Sequence, residues 1–207
     1  MIGVTRDLVL VSHVKSPREP LALPRGFHAA IVRGNADPDW PLLQQFYEAH
    51  HFPADWPGKM LCIGGVAHLL VSDKGEPIGA GWETAREFYV EEIGRTFDPG
   101  EGNVYFFGDL IAPSCRGQGL HRQLVRLRVD SSHAGGRQWM MAMIRSDNLP
   151  SIGGYRREGF LPVAELRTRR RAGWRVDAVR RILPELPFGV FSAEGFLLPG
   201  LGRIRRA

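Results

Sequence analysis

The chain has 207 residues, 43% of them hydrophobic and 24% charged, which suits one domain with appendages and a buried core. With no repeat or low-complexity run, two cysteines (Cys62 and Cys115), no Cys/His spacing suited to zinc and no apolar window of membrane-spanning length, it is not read as a fibrous, disulfide-stapled, zinc-bound or membrane-spanning protein. Charge is uneven: residues 1–115 hold nine basic and 15 acidic side chains, a balance of −6, whereas residues 116–207 hold 18 basic and seven acidic ones, a balance of +11. An anionic ligand for the second half would explain this, and so would a solvated basic face; nucleic acid has no motif behind it. With no leader pattern at the start, a cytoplasmic location is the expectation.

Residues 1–26 read as an N-terminal arm, with three prolines between Ser16 and Pro24. Phe27 to Val32 predicts a short strand. Asn35-Ala36-Asp37-Pro38 predicts a helix start, with Asp37 as N-cap and Pro38 at the first helical position. Leu42, Leu43, Phe46 and Tyr47 follow at helical spacing, to an end near His50. A second helix is predicted over Asp55–Ile63. Val66–Val71 and Pro77–Trp82 read as strands joined by a hairpin turn at Ser72–Glu76. Glu83 to Phe97 is open between strand and loop.

Val104 to Ala112 is apolar on both faces, with Tyr105, Phe107 and Ile111 on one and Val104, Phe106 and Leu110 on the other. That pattern predicts a central strand covered on both sides. A helix over Gly119–Ser132 turns Leu120, Leu124, Leu127 and Ser131 inward, leaves Arg122 and Arg126 off that stripe, and ends at Gly135-Gly136. Trp139–Ile144 is a strand. Asp147 or Asn148 caps a helix that runs to Glu158 and stops at Gly159. Phe160–Arg171 and Trp174–Ile182 are strands joined at Ala172-Gly173. Residues 183–207 form a C-terminal extension after a main unit over 27–182; it packs on the core or contacts another subunit, a homodimer being one arrangement. The element order predicts a mixed α/β sheet flanked by helices.

The chemistry concentrates between Asp109 and Arg128, where a strand, a turn with Arg116, Gly117 and Gly119, and a helix start follow one another. The first turn of a helix has unpaired N–H groups and the positive end of the dipole, and two glycines let an anion approach that backbone. A dinucleotide fingerprint would need a third glycine at Arg122, and no Walker A pattern exists.

Arg116-Gly117-Gln118-Gly119-Leu120-His121, after a strand ending in Leu-Ile-Ala-Pro, resembles the coenzyme A signature of the GNAT superfamily of acetyltransferases. Asn148-Leu-Pro-Ser151-Ile-Gly-Gly-Tyr155-Arg-Arg-Glu-Gly159-Phe160 is similar to the family's following helix, with its N-x-x-[SA]-x-x-x-Y-x-x-x-G-F pattern. The match covers about residues 104–161. One departure is His121, where a small residue is usual; it fits if its side chain points outward.

The resemblance implies a GNAT-like mixed, splayed central sheet flanked by helices, and direct transfer of an acetyl group from acetyl-coenzyme A to a primary amine in a ternary complex. It implies a pyrophosphate held by the N–H groups of Gly117, Gln118, Gly119, Leu120, His121 and Arg122 beside Arg116. Pantetheine would pair with Leu110 and Ile111, and Asn148, Ser151 and Tyr155 would flank the cofactor. The sheet would have to splay between 104–112 and 138–145, and Gly108 is the candidate bulge. Tyr155 stands where the family's acid for the leaving thiolate stands. Its alternative is plain packing against Ile152. Ile111 N–H is a candidate oxyanion donor. Asp109 is the candidate base, its pKa raised by burial, unless an arginine or backbone group satisfies it; Glu83 is a second candidate. No metal is implied. The acceptor, a small-molecule or peptide amine, would meet residues 27–97, where Glu83, Glu87, Glu91 and Glu92 suit a cation or form a solvated loop. Coenzyme A binding without catalysis is the main rival reading.

Overall fold

The computed structural model describes residues 3–13, 23–90, 95–171, 174–181, 196–198 and 202–206. The strands are β1 (Gly3–His13), β2 (Phe27–Val32), β3 (Gly65–Ser72), β4 (Pro77–Thr84), β5 (Phe88–Val90), β6 (Arg95–Asp98), β7 (Asn103–Ile111), β8 (Trp139–Arg145), β9 (Leu161–Arg171), β10 (Trp174–Arg181), β11 (Phe196–Leu198) and β12 (Gly202–Arg206). The helices are α1 (Trp40–Ala49), α2 (Trp56–Cys62), α3 (Leu120–Ala134) and α4 (Leu149–Arg157), with a 3-10 turn at Pro113–Cys115.

The main sheet has eight strands in the order β10-β9-β1-β8-β7-β4-β3-β2. Only β7 and β8 run parallel among the described pairings. A second sheet has the order β11-β12-β6-β5, so β12 of the C-terminal extension pairs with β6, in the ambiguous stretch after Glu83, and β11 pairs with β12. Glu91, Glu92 and the Ala172-Gly173 turn lie outside the described residues.

Three expectations are corrected. The N-terminal arm contains a strand: β1 sits inside the sheet between β8 and β9. Its run Leu8-Val9-Leu10-Val11 is of the short, continuously apolar kind that buried strands use, and the prolines after it masked the signal. Asp37 does not cap α1. Its carboxylate accepts from the N–H groups of Arg33 and Gly34, while Asp39 holds the N-cap position without a side-chain bond. On α3 the buried face comprises Leu120, Leu124, Val125, Arg126, Arg128, Val129 and Ser132, so Arg126 lies inside. It pairs with Asp130 at 2.8 Å and with the buried Glu158 at 3.3 Å.

The two faces of the sheet carry separate cores. On one, α1 and α2 cover Ala67, Leu69, Ala80, Trp82, Tyr105 and Phe107 with Leu43, Phe46 and Tyr47. On the other, α3 and α4 cover Val104, Phe106, Met140 and Ala142 with Val125, Ile152 and Tyr155. Each fully buried large side chain contributes roughly 1.5–3 kcal/mol. At Gly108, with φ 65°, the strand bulges: Phe107 pairs with Trp82 and Leu110 with Ala80, so Gly108 and Asp109 face Gly81 alone. The extra residue reverses the alternation. Leu110 therefore packs with the α1 side, and Ile111 with Leu120 and Leu124 on the α3 side, opposite to the strict period-two expectation.

Candidate active site

β7 and β8 pair only from Asn103–Trp139 to Phe106–Ala142, then separate. The bulge at Gly108 begins where the pairing ends, as expected for a splayed sheet. Ala112 N–H donates to Ile78 O at 2.8 Å. In an antiparallel ladder the neighbouring residue then turns its own N–H and C=O the other way, so those of Ile111 face the gap. The Ile111 carbonyl accepts from Arg116 Nε at 3.2 Å, which fixes Arg116 at the mouth of the gap.

The turn that follows has Gly117 at φ 79° and Gly119 at φ 76°, and a Cβ at either would meet nothing within 4 Å. Gln118 beside them is exposed. Gln123 N–H bonds Gly119 O at 3.2 Å, so the N–H groups of Leu120, His121 and Arg122 precede the first intrahelical bond of α3. Leu120 offers backbone only, since its side chain is buried in the core. Arg122 is occupied: its Nε donates to Glu158 Oε1 at 2.6 Å, joining α3 to α4. At the head of α4, Asn148 is the N-cap and accepts from Ser151 N–H at 3.3 Å.

Because of the bulge, Asp109 points to the α3 face, where four ionisable side chains meet. Arg128 Nη1 lies 2.7 Å from Asp109 Oδ1, and the guanidinium also donates to Trp82 O at 3.1 Å and to the Tyr155 hydroxyl at 3.1 Å. Asp109 Oδ2 accepts from the Tyr155 hydroxyl at 2.7 Å and contacts His121 Nε2 at 3.1 Å. Arg128 is wholly buried and also lies 4.6 Å from the centroid of Phe106. Two glycines make room. A Cβ at Gly81 would stand 2.9 Å from Asp109 Oδ1 and 3.1 Å from Arg128 Cζ, and one at Gly154 would stand 2.5 Å from His121 Nδ1.

Burial alone would push the Asp109 carboxyl up. The Arg128 charge, followed by the His121 hydrogen bond, outweighs it and holds the carboxyl well below the usual aspartate range. The expectation of a raised pKa is thus corrected: burial brought a counter-ion with it. Tyr155 is pushed well above its ordinary value by burial, which outweighs the opposing pull of Arg128. Its hydroxyl proton points at Asp109. His121 does not point outward either; it lies over Gly154, with its side chain 24% exposed.

On the opposite face, Trp82 Nε1 donates to the Tyr47 hydroxyl at 2.7 Å, which in turn contacts the Gly108 carbonyl at 3.4 Å. α1 therefore holds the bulge from one side while Arg128 holds it from the other. Glu83 leaves both the base and the acceptor sets. It lies on the α3 face, accepting from Ser132 Oγ at 3.0 Å, with His68 Nε2 at 3.5 Å. Glu87 is exposed.

Sequence reasoning missed Arg128. The signal was a carboxylate in an apolar strand, which needs a buried partner, and arginines at alternate positions of the next helix.

No family model matches the sequence, and no curated protein does. Solved structures do. A GCN5-related N-acetyltransferase from Sphaerobacter thermophilus aligns with a TM-score of 0.59 at 14% identity, over 88% of this chain and 53% of that one. A putative acetyltransferase of the GNAT family from Novosphingobium aromaticivorans gives 0.55 at 19%, over 80% and 63%. A GCN5-related N-acetyltransferase from Kribbella flavida gives 0.52 at 19%, over 78% and 56%. The chain thus has the GNAT fold, as its two motifs implied, and spans little more than half the length of these three structures.

Proposed function

We propose that the protein is an N-acetyltransferase that moves an acetyl group from acetyl-coenzyme A to a primary amine by direct attack in a ternary complex. The observation that carries this reading is the separation of β7 from β8 after Phe106, beside a glycine turn whose N–H groups open onto α3. The pyrophosphate would meet the backbone from Gly117 to Arg122, with Arg116 adding charge. The pantetheine amides would pair with the strand edge at Ile111, whose N–H would lie where charge develops on the thioester oxygen; Leu110, expected to share that edge, turns its backbone to Ala80 of β4 instead. Asn148 and Ser151 would flank the cofactor from α4. The acceptor would enter from the side of residues 27–97, where half-buried Phe52, Trp56 and Phe88 surround the α1 core. No metal enters this reading.

Calorimetry tests the cofactor. The intact protein should bind acetyl-coenzyme A saturably, and Gly119→Glu, which sets a carboxylate at the turn, should weaken binding at least about tenfold. Absence of binding in the intact protein sinks the proposal. Thiol release against polyamines, aminoglycosides, amino sugars and peptides then identifies the acceptor class. A second reading, coenzyme A binding without turnover, rests on the Tyr155 proton being directed at Asp109 rather than at the gap. Steady thiol release with any of those amines excludes it.

A further inference from the structure

We propose that the acceptor is a primary amine carried on an aromatic body, an arylalkylamine, and that Trp56 is the residue that selects it. This rests on the reading of the chain as an acetyltransferase. β7 lies inside the sheet, between β4 and β8, and apolar clusters cover the sheet on both faces, yet Gly108 is exposed. It stands just past Phe106–Ala142, the last pair of β7 with β8, so the opening falls where the two strands part. A Cβ at Gly108 would stand 3.4 Å from Trp56 Cη2 and 3.1 Å from Trp82 Cδ1, which puts the edge of the Trp56 ring at that opening, on the α1 face. The glycine turn leads into α3 on the opposite face, so the α1 face is left for the acceptor.

Trp82 is wholly buried, but Trp56 is only half-buried. Its ring is held from three sides, with centroids 4.7 Å from Tyr47, 5.0 Å from Phe52 and, edge-on, 5.8 Å from Trp82. Such a fixed aromatic surface loses little freedom when a ligand meets it. Across the gap, Met143 is the first residue of β8 beyond the pairing and packs on the same apolar cluster, where a thioether suits an aromatic ring. Two carboxylates of this half are engaged instead: Glu83 accepts from Ser132 on the α3 face, and Asp55, next to Trp56 in the chain, pairs with Lys59 at 2.7 Å. A polyamine or an aminoglycoside would bring several charges against apolar rings, each stripped of water. An arylalkylamine brings one, and burial there favours the neutral form that attacks the thioester. Its nitrogen bonds to the acetyl carbon, the C–S bond breaks with its electron pair on sulfur, and the proton shed by the nitrogen ends on that sulfur, giving amide and free thiol.

The test measures thiol release from acetyl-coenzyme A by the intact protein with phenethylamine and tryptamine, against spermidine, kanamycin and glucosamine. The better arylalkylamine should exceed each polar amine at least about 100-fold in kcat/KM, since a ring buries about 150–250 Å² of apolar surface that the polar amines lack. Trp56→Ala should raise the KM for phenethylamine at least about tenfold, with kcat and the calorimetric affinity for acetyl-coenzyme A unchanged, and Trp56→Phe should restore most of the loss. A fall in kcat or in acetyl-coenzyme A affinity with that KM unmoved would assign Trp56 to packing and overturn its selective role. A ranking led by a polar amine overturns the acceptor assignment and leaves the cofactor site standing. So does acetyl-coenzyme A binding without thiol release from either arylalkylamine. Failure of the intact protein to bind acetyl-coenzyme A overturns both readings. The ranking needs no variant, so it decides the matter even if Trp56→Ala does not fold.

Discussion

Asp109 and Arg128 form a buried ion pair whose partners cannot be separated cheaply. Removing one leaves the other charged and desolvated. Arg128→Met should therefore cost roughly 3–5 kcal/mol in urea unfolding, more than a surface arginine would. The pH dependence follows from the depressed Asp109 pKa. A carboxyl with a folded pKa below its unfolded value of about 3.9 contributes stability that is complete above that value. The contribution is lost as pH falls from there through the folded pKa. In Arg128→Met, burial should dominate and raise the folded pKa above the unfolded one. The sign then reverses, and the variant should gain stability relative to the intact protein as pH falls from 7 toward about 4. Denaturant titrations of both proteins across that range decide the matter; parallel curves would show that Arg128 does not set the Asp109 charge.

Helix α4 and strand β7 each place a glycine under a specific constraint, and neighbouring positions provide controls. A Cβ added at Gly153 would meet nothing within 4 Å, whereas one at Gly154 would stand 2.5 Å from His121 Nδ1. Gly153→Ala should stabilise the protein by up to about 1 kcal/mol through helix propensity alone. Gly154→Ala should destabilise it despite the same propensity gain, because the imidazole must leave Asp109. At Gly108 the φ of 65° and the Trp82 ring, which an added Cβ would meet at 3.1 Å, both resist a side chain. Gly108→Ala should cost at least about 1–2 kcal/mol for the left-handed backbone. It should also weaken acetyl-coenzyme A binding, since a strand that straightens there turns Asp109 to the wrong face. A stable Gly108→Ala protein with unchanged affinity would show that the bulge does not create the site.

Over the whole molecule, the N-terminal segment matters more than an arm would. β1 lies between β8 and β9, so deleting residues 3–13 should leave β8 without its neighbour on the side away from β7 and cut off β9 and β10. Such a sheet edge is prone to self-association, and gel filtration of the truncated chain should show aggregates. A ligand that bridges the gap between β7 and β8 should have the opposite effect. At 100 times its dissociation constant, acetyl-coenzyme A should add about 2.7 kcal/mol, or about 5–10 °C in Tm for a chain of this size. No shift under saturation would argue against binding to the native state.

The sequence by itself determined the alternation of strands and helices from Phe27 to Trp82 and from Val104 to Arg171, the glycine turn at Gly117–Gly119 and the bulge at Gly108. Each of these depends on residues close in the chain, through periodicity, capping or the freedom of a glycine, so a local pattern suffices. Only the tertiary structure decided that β1 enters the sheet, that Ile111 changes face, and that Arg128, His121 and Tyr155 converge on Asp109. Those facts depend on which strands become neighbours and on a one-residue change of phase. A bulge reverses every side chain beyond it, and a buried charge finds its partner across a packed interface that no local spacing records.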